Sequence, residues 1–329
     1  MLELKREIIK DATLTKPRNA WAETIIALFK QLNLIDRFTL GYIAFTSVLL
    51  VFSPHHVPGR ARMLIIHVLL FAFIITIAQY RRPQPSGWWQ KTLRTLSHWY
   101  PILLPAYLFE EIHSLVHVVF PNWFDAAIIN FDYVMFGAHP TVWFEQHISY
   151  WLTELMNFAY FAYWPLLPAT ALLLWFGERK HEHRTQFEWF TLSLCIAYYL
   201  CYVVFILYPI EGPYHTLRHL QQTHEMPGWI FTAAVELVEK HGRIHGGAFP
   251  SAHVAGSVVA LIAAFRWSKK LGWALTPLII GVLVSTVYGR YHYAADIWGG
   301  VLMGAVGCWA ANILLRRKGS IKIDSREVL

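Results

Sequence analysis

Long apolar runs alternate along this chain with short polar segments. A helix that crosses a membrane needs about 20 mostly apolar residues. By that measure the runs predict eight spans, at 37–53, 62–80, 99–120, 153–176, 187–209, 249–266, 272–289 and 293–315. The third is interrupted by Glu110, Glu111, His113 and His117. Segment 121–152 has another pattern: Asp125, Asp132, Glu145 and His147 are scattered among Trp and Phe. That pattern predicts interfacial helices or a re-entrant turn, not a span. The predicted organisation is a cytosolic arm over 1–36 with an amphipathic helix near 20–33, one membrane-embedded domain over 37–315, and a cytosolic tail over 316–329. No internal repeat or low-complexity stretch divides the domain. The first twenty residues are polar and mixed in charge and show no cleavable signal pattern, so the first apolar span is expected to direct insertion.

Composition strengthens this picture. The chain has 329 residues, of which 56% are hydrophobic and 15% charged. Soluble domains carry roughly 45–50% and about 25%. Mean hydropathy is +0.37. This excludes a soluble globular chain and a disordered one, and predicts an all-α polytopic transmembrane helix bundle. The three cysteines, Cys195, Cys201 and Cys308, all lie in apolar runs, so neither a disulfide framework nor a zinc site is read from them.

The formal charge of +7 does not point to nucleic acid, because cytosolic loops of membrane proteins collect Lys and Arg. With the N-terminus in the cytosol, 22 of the 28 basic residues fall on the inner side. The others are Arg60, Arg62, Arg218, Lys240, Arg243 and Arg290, and segment 119–152 has no Lys or Arg. The expected location is a multi-pass place in a membrane, such as a bacterial inner membrane, with both termini cytosolic. Most histidines then lie at the outer side.

Two stretches carry candidate chemistry: H-G-G-A-F-P-S-A-H-V at 245–254 and Y-G-R-Y-H-Y-A-A-D at 288–296. Two apolar runs joined by a short basic turn at Lys269 and Lys270 separate them, so the chain returns to the same membrane face and His253 can meet His292. Pro250 suits the first turn of a helix, where Ser251 adds a hydroxyl. Free N–H groups at such an end favour phosphate, and Gly246 and Gly247 permit close backbone approach. His292 and Asp296 are four apart and share a helix face. The carboxylate can keep one imidazole nitrogen protonated and leave the other free to attack. Arg290 can fork onto phosphate oxygens.

These stretches resemble the type 2 phosphatidic acid phosphatase superfamily of membrane lipid phosphatases and phosphotransferases. Pro250, Ser251 and His253 match its Pro-Ser-x-His stretch, and Ser285, His292 and Asp296 match its later Ser-Arg-x5-His-x3-Asp stretch. The family's Arg falls at Thr286, and its Lys-x6-Arg-Pro stretch is replaced by Y-P-I-E-G-P-Y-H-T-L-R at 208–218. The departures, together with D-Y-V-M-F-G-A-H-P at 132–140, are similar to the subgroup that includes inositol phosphorylceramide synthases. The resemblance implies a six-helix core and metal-free chemistry without a cofactor. His292 would form a phosphohistidine, Asp296 would orient it, and His253 would serve as acid and then base. Arg290, Ser251 and Gly247 would form the phosphate site. The implied partners are a lipid phosphate substrate, an alcohol acceptor in the case of transfer, and membrane lipids.

A lone interfacial His is by default a polar anchor. His253 and His292 stand apart because motif, spacing and topology agree. Tyr208, Arg218, His215, Arg243 and His245 are loop residues of which one or two are expected to line the pocket, and Glu110 and Glu111 are candidates to bind the hydroxyls of an acceptor. Two other classes stay open. Glu110-x-x-His113, His113-x3-His117 and His241-x3-His245 have spacings seen in membrane di-iron hydroxylases, and intramembrane carboxylates could form a transporter's proton path. Gly299, Gly300, Gly304 and Gly307 are expected to permit close helix packing.

Overall fold

The computed structural model describes residues 28–81, 87–177, 185–242 and 244–319, with the side chain of His241 excepted. The arm and its amphipathic helix up to residue 27, the tail from 320, and Arg243 lie outside the described residues. Among the described residues there is no strand. The longer helices are α1 (Leu34–Phe52), α2 (Arg60–Ala78), α3 (Trp88–Glu110), α4 (Asp125–Phe136), α5 (Tyr150–Gly177), α6 (Thr185–Leu207), α7 (Ile230–Gly242), α8 (Ala252–Trp267), α9 (Lys269–Tyr288) and α10 (Ala294–Arg317). Six are long and apolar enough to cross a membrane: α1, α2 with its extension to Arg81, α5, α6, α9 and α10. The protein is an all-α, multi-pass integral membrane bundle.

The other two expected spans, α8 and α3, are helical but differ in kind. Helix α8 has 16 residues, about 24 Å at 1.5 Å per residue, against a hydrocarbon core of about 30 Å. It sits at the centre of the bundle, packed by α5, α6, α9 and α10. Its small residues (Ala252, Ala255, Gly256, Ser257, Ala260, Ala263 and Ala264) allow that crowding. Helix α3 begins about ten residues earlier than the hydropathy run at 99–120 and stops at Glu110. Its first turns are polar, with Lys91 and Arg94, so helical structure extends beyond the apolar signal.

Two prolines inside α3, Pro101 and Pro105, each remove a helical hydrogen bond. The carbonyls so released, four residues earlier, find tertiary partners. Ser97 O accepts from Arg81 Nη2 at 2.6 Å, and Pro101 O from the Cys195 thiol at 3.4 Å. Arg81 also grips buried Asp36 through both carboxylate oxygens, at 2.6 and 3.1 Å, and Tyr100 donates to Asp36 at 2.6 Å. These bonds tie α1, the end of α2 and α3 together at the end of the bundle opposite the two histidines.

Helix α10 lies against α8 and α6 through its glycines. A Cβ at Gly300 would stand 2.5 Å from the Ser251 carbonyl oxygen, and one at Gly307 2.5 Å from that of Ser193. Gly299 and Gly304 are equally tight, at 2.8 Å from Pro250 Cβ and from the Ala255 carbonyl. Backbone fills the space a side chain would need, so the helices approach as expected of a small-residue face. Segment 121–152 forms α4 and shorter turns that do not span. Val134, Met135 and Phe136 on α4 are exposed, whereas Asp125 and Asp132 on the same helix are buried.

Candidate active site

The stretch 245–254 forms a loop leading into α8. Gly246 and Gly247 both have left-handed backbone, with φ of 94° and 80°, a conformation that favours glycine. The helix begins at Ala252, two residues later than Pro250 suggests. Ser251 is the N-cap, its hydroxyl accepting from Val254 N at 3.3 Å, and Pro250 precedes the cap through a cis peptide bond with Phe249. The Ser251 side chain is buried and its N–H donates to Asp296 O at 3.0 Å, so the starts of α8 and α10 are bonded to each other. The first-turn N–H groups of α8 have no intrahelical acceptor.

The second stretch closes over this end. His292 follows α9, and its Nδ1 lies 2.8 Å from the Ala248 carbonyl and 3.2 Å from Asp296 Oδ2. Both neighbours are acceptors, so Nδ1 carries the proton and Nε2 is left with its lone pair. Asp296 Oδ2 also accepts the Tyr293 N–H at 2.8 Å. The ring centroids of His253 and His292 are 5.8 Å apart. One cavity is lined by both histidines together with Tyr160, Glu211, His215, Glu239, Gly247 and Tyr291.

Helices α5 and α7 add groups that sequence reasoning missed. The Tyr160 hydroxyl is 3.3 Å from His253 Nε2 and donates to Glu239 Oε1 at 3.3 Å. Its ring stacks on Tyr291 with centroids 4.4 Å apart. No local spacing links Tyr160 or Glu239 to either motif. A second, more polar cavity shares Tyr214, Glu239 and Tyr291 with the first and is lined further by Asn157, Glu236 and Arg290.

Three carboxylates of the non-spanning segment hold the site together. Asp125 accepts the N–H groups of Glu211 and Gly212, at 2.8 and 2.9 Å, and the Tyr293 hydroxyl at 2.8 Å. Burial, then the Asp125 charge, raises the Tyr293 phenol well above its ordinary value. Asp132 accepts the N–H groups of Ala294 and Ala295, at 2.9 and 2.8 Å, and so caps α10 from another helix. Burial raises its pKa in spite of those donors. Glu145 accepts from the Thr223 N–H and sits 3.5 Å from Arg290. Burial opposes its ionisation, but the N–H donors at Thr223 and Gln222 and the charge of Arg290 win, and its pKa is lowered.

The other sequence candidates fall in different places. Arg290 has φ of 64° and is buried, with Nη1 donating to Thr223 O at 2.6 Å. It lines the second cavity, not the one with the two histidines. Burial lowers its pKa, against the pull of Glu145. Glu111 is turned away from the cavity into the packing of α2 and α3, where it meets His67 Nε2 at 3.0 Å. Intramembrane burial demands such a partner. Glu110 is exposed beside Gly242 at the cavity rim. Tyr208 stacks on Phe124 away from the histidines, and Arg218 is exposed over the Tyr214 ring. His215 lines the cavity, and His245 meets Glu211 at 2.6 Å.

Among the described residues, those weighed for a di-iron site do not gather into one ligand cluster. His117 Nδ1 bonds the Phe120 carbonyl, His113 Nδ1 accepts the His245 N–H at 3.4 Å, and the His241 side chain lies outside the described residues. Among the described residues, the cluster of metal-ligating groups is Glu211, His215 and His245.

No curated protein and no solved structure matches the chain. A family model described as the PAP2 superfamily matches residues 127–310, more than half of the chain, from α4 through most of α10. Both histidine stretches and two of the three clamping carboxylates, Asp132 and Glu145, lie within the match. The chain therefore belongs to the PAP2 superfamily, whose members are phosphatase-type enzymes acting on lipid-like phosphoesters.

Proposed function

We propose that the protein cleaves a lipid phosphoester through a phosphohistidine on His292. The observation that carries this reading is the pairing of His253 and His292, 5.8 Å apart, with the Nδ1 proton of His292 held by Ala248 O and Asp296. In the first half-reaction His292 Nε2 attacks phosphorus and the bond from phosphorus to the alcohol oxygen breaks. His253, protonated, gives its proton to the departing oxygen. Asp296 balances the positive charge that forms on the His292 ring. In the second half His253 takes a proton from water, whose oxygen attacks phosphorus, and the P–N bond breaks. General acid–base help of this kind is worth about 10²–10⁴-fold. The N–H groups opening α8 are suited to the phosphoryl oxygens. No metal enters these steps.

Transfer to an alcohol in place of water is a second reading, similar to inositol phosphorylceramide synthases. It is favoured by the polar second cavity, which meets the first at Tyr214, Glu239 and Tyr291 and offers Asn157, Glu236 and Arg290 to a hydroxyl-bearing molecule. The distribution of basic residues supports a non-cytosolic face for both cavities.

The test is an assay of the purified full-length protein in detergent. Phosphatidate, an isoprenoid diphosphate and phosphatidylinositol are offered with and without ceramide or diacylglycerol. Free phosphate released at rates abolished by His292→Ala supports hydrolysis, and a new phospholipid that requires the added alcohol supports transfer. Turnover of all these lipids by His292→Ala at the wild-type rate overturns both.

A further inference from the structure

We propose that Glu211, His215 and His245 form a binding site for a divalent transition-metal ion of the zinc class at the wall of the active-site cavity. The three come from separate places: the segment after α6, the one-turn helix Pro213–Thr216, and the loop before α8. One ligand atom of each lies within 4.8 Å of the others. His245 Nε2 is 2.6 Å from Glu211 Oε1, and the two imidazole centroids are 4.8 Å apart. Two imidazoles and one carboxylate suit zinc better than magnesium or calcium, which take oxygen ligands.

The surroundings fix the donors in place, as a metal site requires. Asp125 holds the backbone on both sides of the Glu211–Gly212 peptide, at 2.8 and 2.9 Å. Thr216 bonds Gly212 O at 3.0 Å and so braces the turn that carries His215. The Trp123 ring packs against His245 with centroids 5.2 Å apart. An ion pair between His245 and Glu211 alone is half-exposed and adds little stability. Three protein ligands leave at least one coordination position open. Glu211 and His215 line the cavity with His253 and His292, so the open position faces an oxygen donor in that cavity, such as a phosphate oxygen that is not transferred.

This site goes beyond the phosphotransfer reading and is tested without turnover. The full-length protein, without a polyhistidine tag and stripped with chelator, is titrated with zinc chloride and, separately, with cobalt chloride. The expected result is one ion per chain at micromolar affinity or tighter, with the visible absorption of four- or five-coordinate cobalt. His215→Ala, His245→Ala and Glu211→Gln each weaken binding by about 100-fold or more, at or above what loss of an outer-shell partner costs. His292→Ala binds as the wild type does. If an alanine variant fails to fold, Glu211→Gln and the cobalt spectrum still decide. Binding that is absent from the wild type, or unchanged in the folded variants, overturns the proposal whatever the lipid assay shows.

Discussion

The imidazole rings of His253 and His292 meet at 5.8 Å with a 64° tilt, although 38 residues separate them and one sits in the first turn of α8, the other in the turn between α9 and α10. Only one of them has its Nδ1 held by a carbonyl and a carboxylate. That asymmetry favours the proposed roles, attack by His292 and proton transfer by His253. His292→Ala is expected to abolish formation of an acid-labile phosphoenzyme. His253→Ala is expected to lower turnover by about 10²–10⁴-fold and still form the phosphoenzyme from a substrate with a good leaving group. Rapid-quench labelling with radioactive phosphate checks both. Label that persists in His292→Ala would reverse or remove the assignment.

Asp296 shares the Nδ1 proton of His292 with the Ala248 carbonyl, and the carbonyl is the nearer acceptor, at 2.8 against 3.2 Å. The backbone alone therefore keeps the reactive tautomer. In a triad whose carboxylate does that work by itself, the Asn variant loses about 10⁴-fold. Asp296→Asn is expected to lose less here, about 10–10²-fold, with KM little changed. Steady-state rates measure it, and a loss as large as that of His292→Ala would mean that Asp296 also sets the tautomer.

Tyr160 reaches His253 and Glu239 with one hydroxyl. It is a positioning residue for the acid–base group. Tyr160→Phe is expected to reduce kcat by less than tenfold, roughly the loss of one neutral hydrogen bond, and to move the pH profile of kcat. Glu239→Gln should move the same limb of that profile. A fall in kcat with an unmoved profile in both variants would leave Tyr160 a packing residue only.

Gly300 is pressed against the backbone that holds Ser251. A Cβ there would meet the Ser251 carbonyl at 2.5 Å and Val254 Cβ at 2.7 Å, and neither is the far end of a flexible side chain. Gly300→Ala is expected to cost about 1–3 kcal/mol and to lower activity, because it separates the start of α8, which carries His253, from the start of α10, which carries Asp296. Gly41→Ala meets nothing within 4 Å and should cost little. Thermal melting in detergent compares the two.

Glu145 is one source of pH-dependent stability outside the membrane-spanning helices. Its folded pKa is lowered by N–H donors and Arg290 against the effect of burial. Its contribution to stability is therefore fully present above its unfolded pKa and is lost as pH falls through the lower folded value. Glu145→Gln should melt below the wild type at pH 7, and the gap should narrow below about pH 4. Melting curves from pH 7 to pH 3 measure it, and a gap independent of pH would assign the effect to packing.

The sequence by itself determined the helical class, six of the eight expected spans and the return of His253 toward His292. These rest on local rules: apolar runs long enough for a bilayer, and a short basic turn that sends the chain back to the same face. The expected helix face shared by His292 and Asp296 is not formed, because α10 starts only at Ala294 and His292 reaches Asp296 from the turn before it. The sequence also marked 121–152 as non-spanning, because acidic residues recur there too often for hydrocarbon. Tertiary structure decided which polar groups surround the histidines. Tyr160 and Glu239 arrive from α5 and α7, and Asp125 and Asp132 reach loops 86 and 162 residues away. Of the adjacent Glu110 and Glu111, one stays exposed near the cavity and the other turns into the bundle onto His67. Arg290 has a motif position beside His292, yet its side chain leaves toward Glu145 and Thr223. Periodicity specifies which face of a helix is buried. Where a buried polar side chain points depends on which distant group can satisfy it, and that partner exists only once the helices have packed.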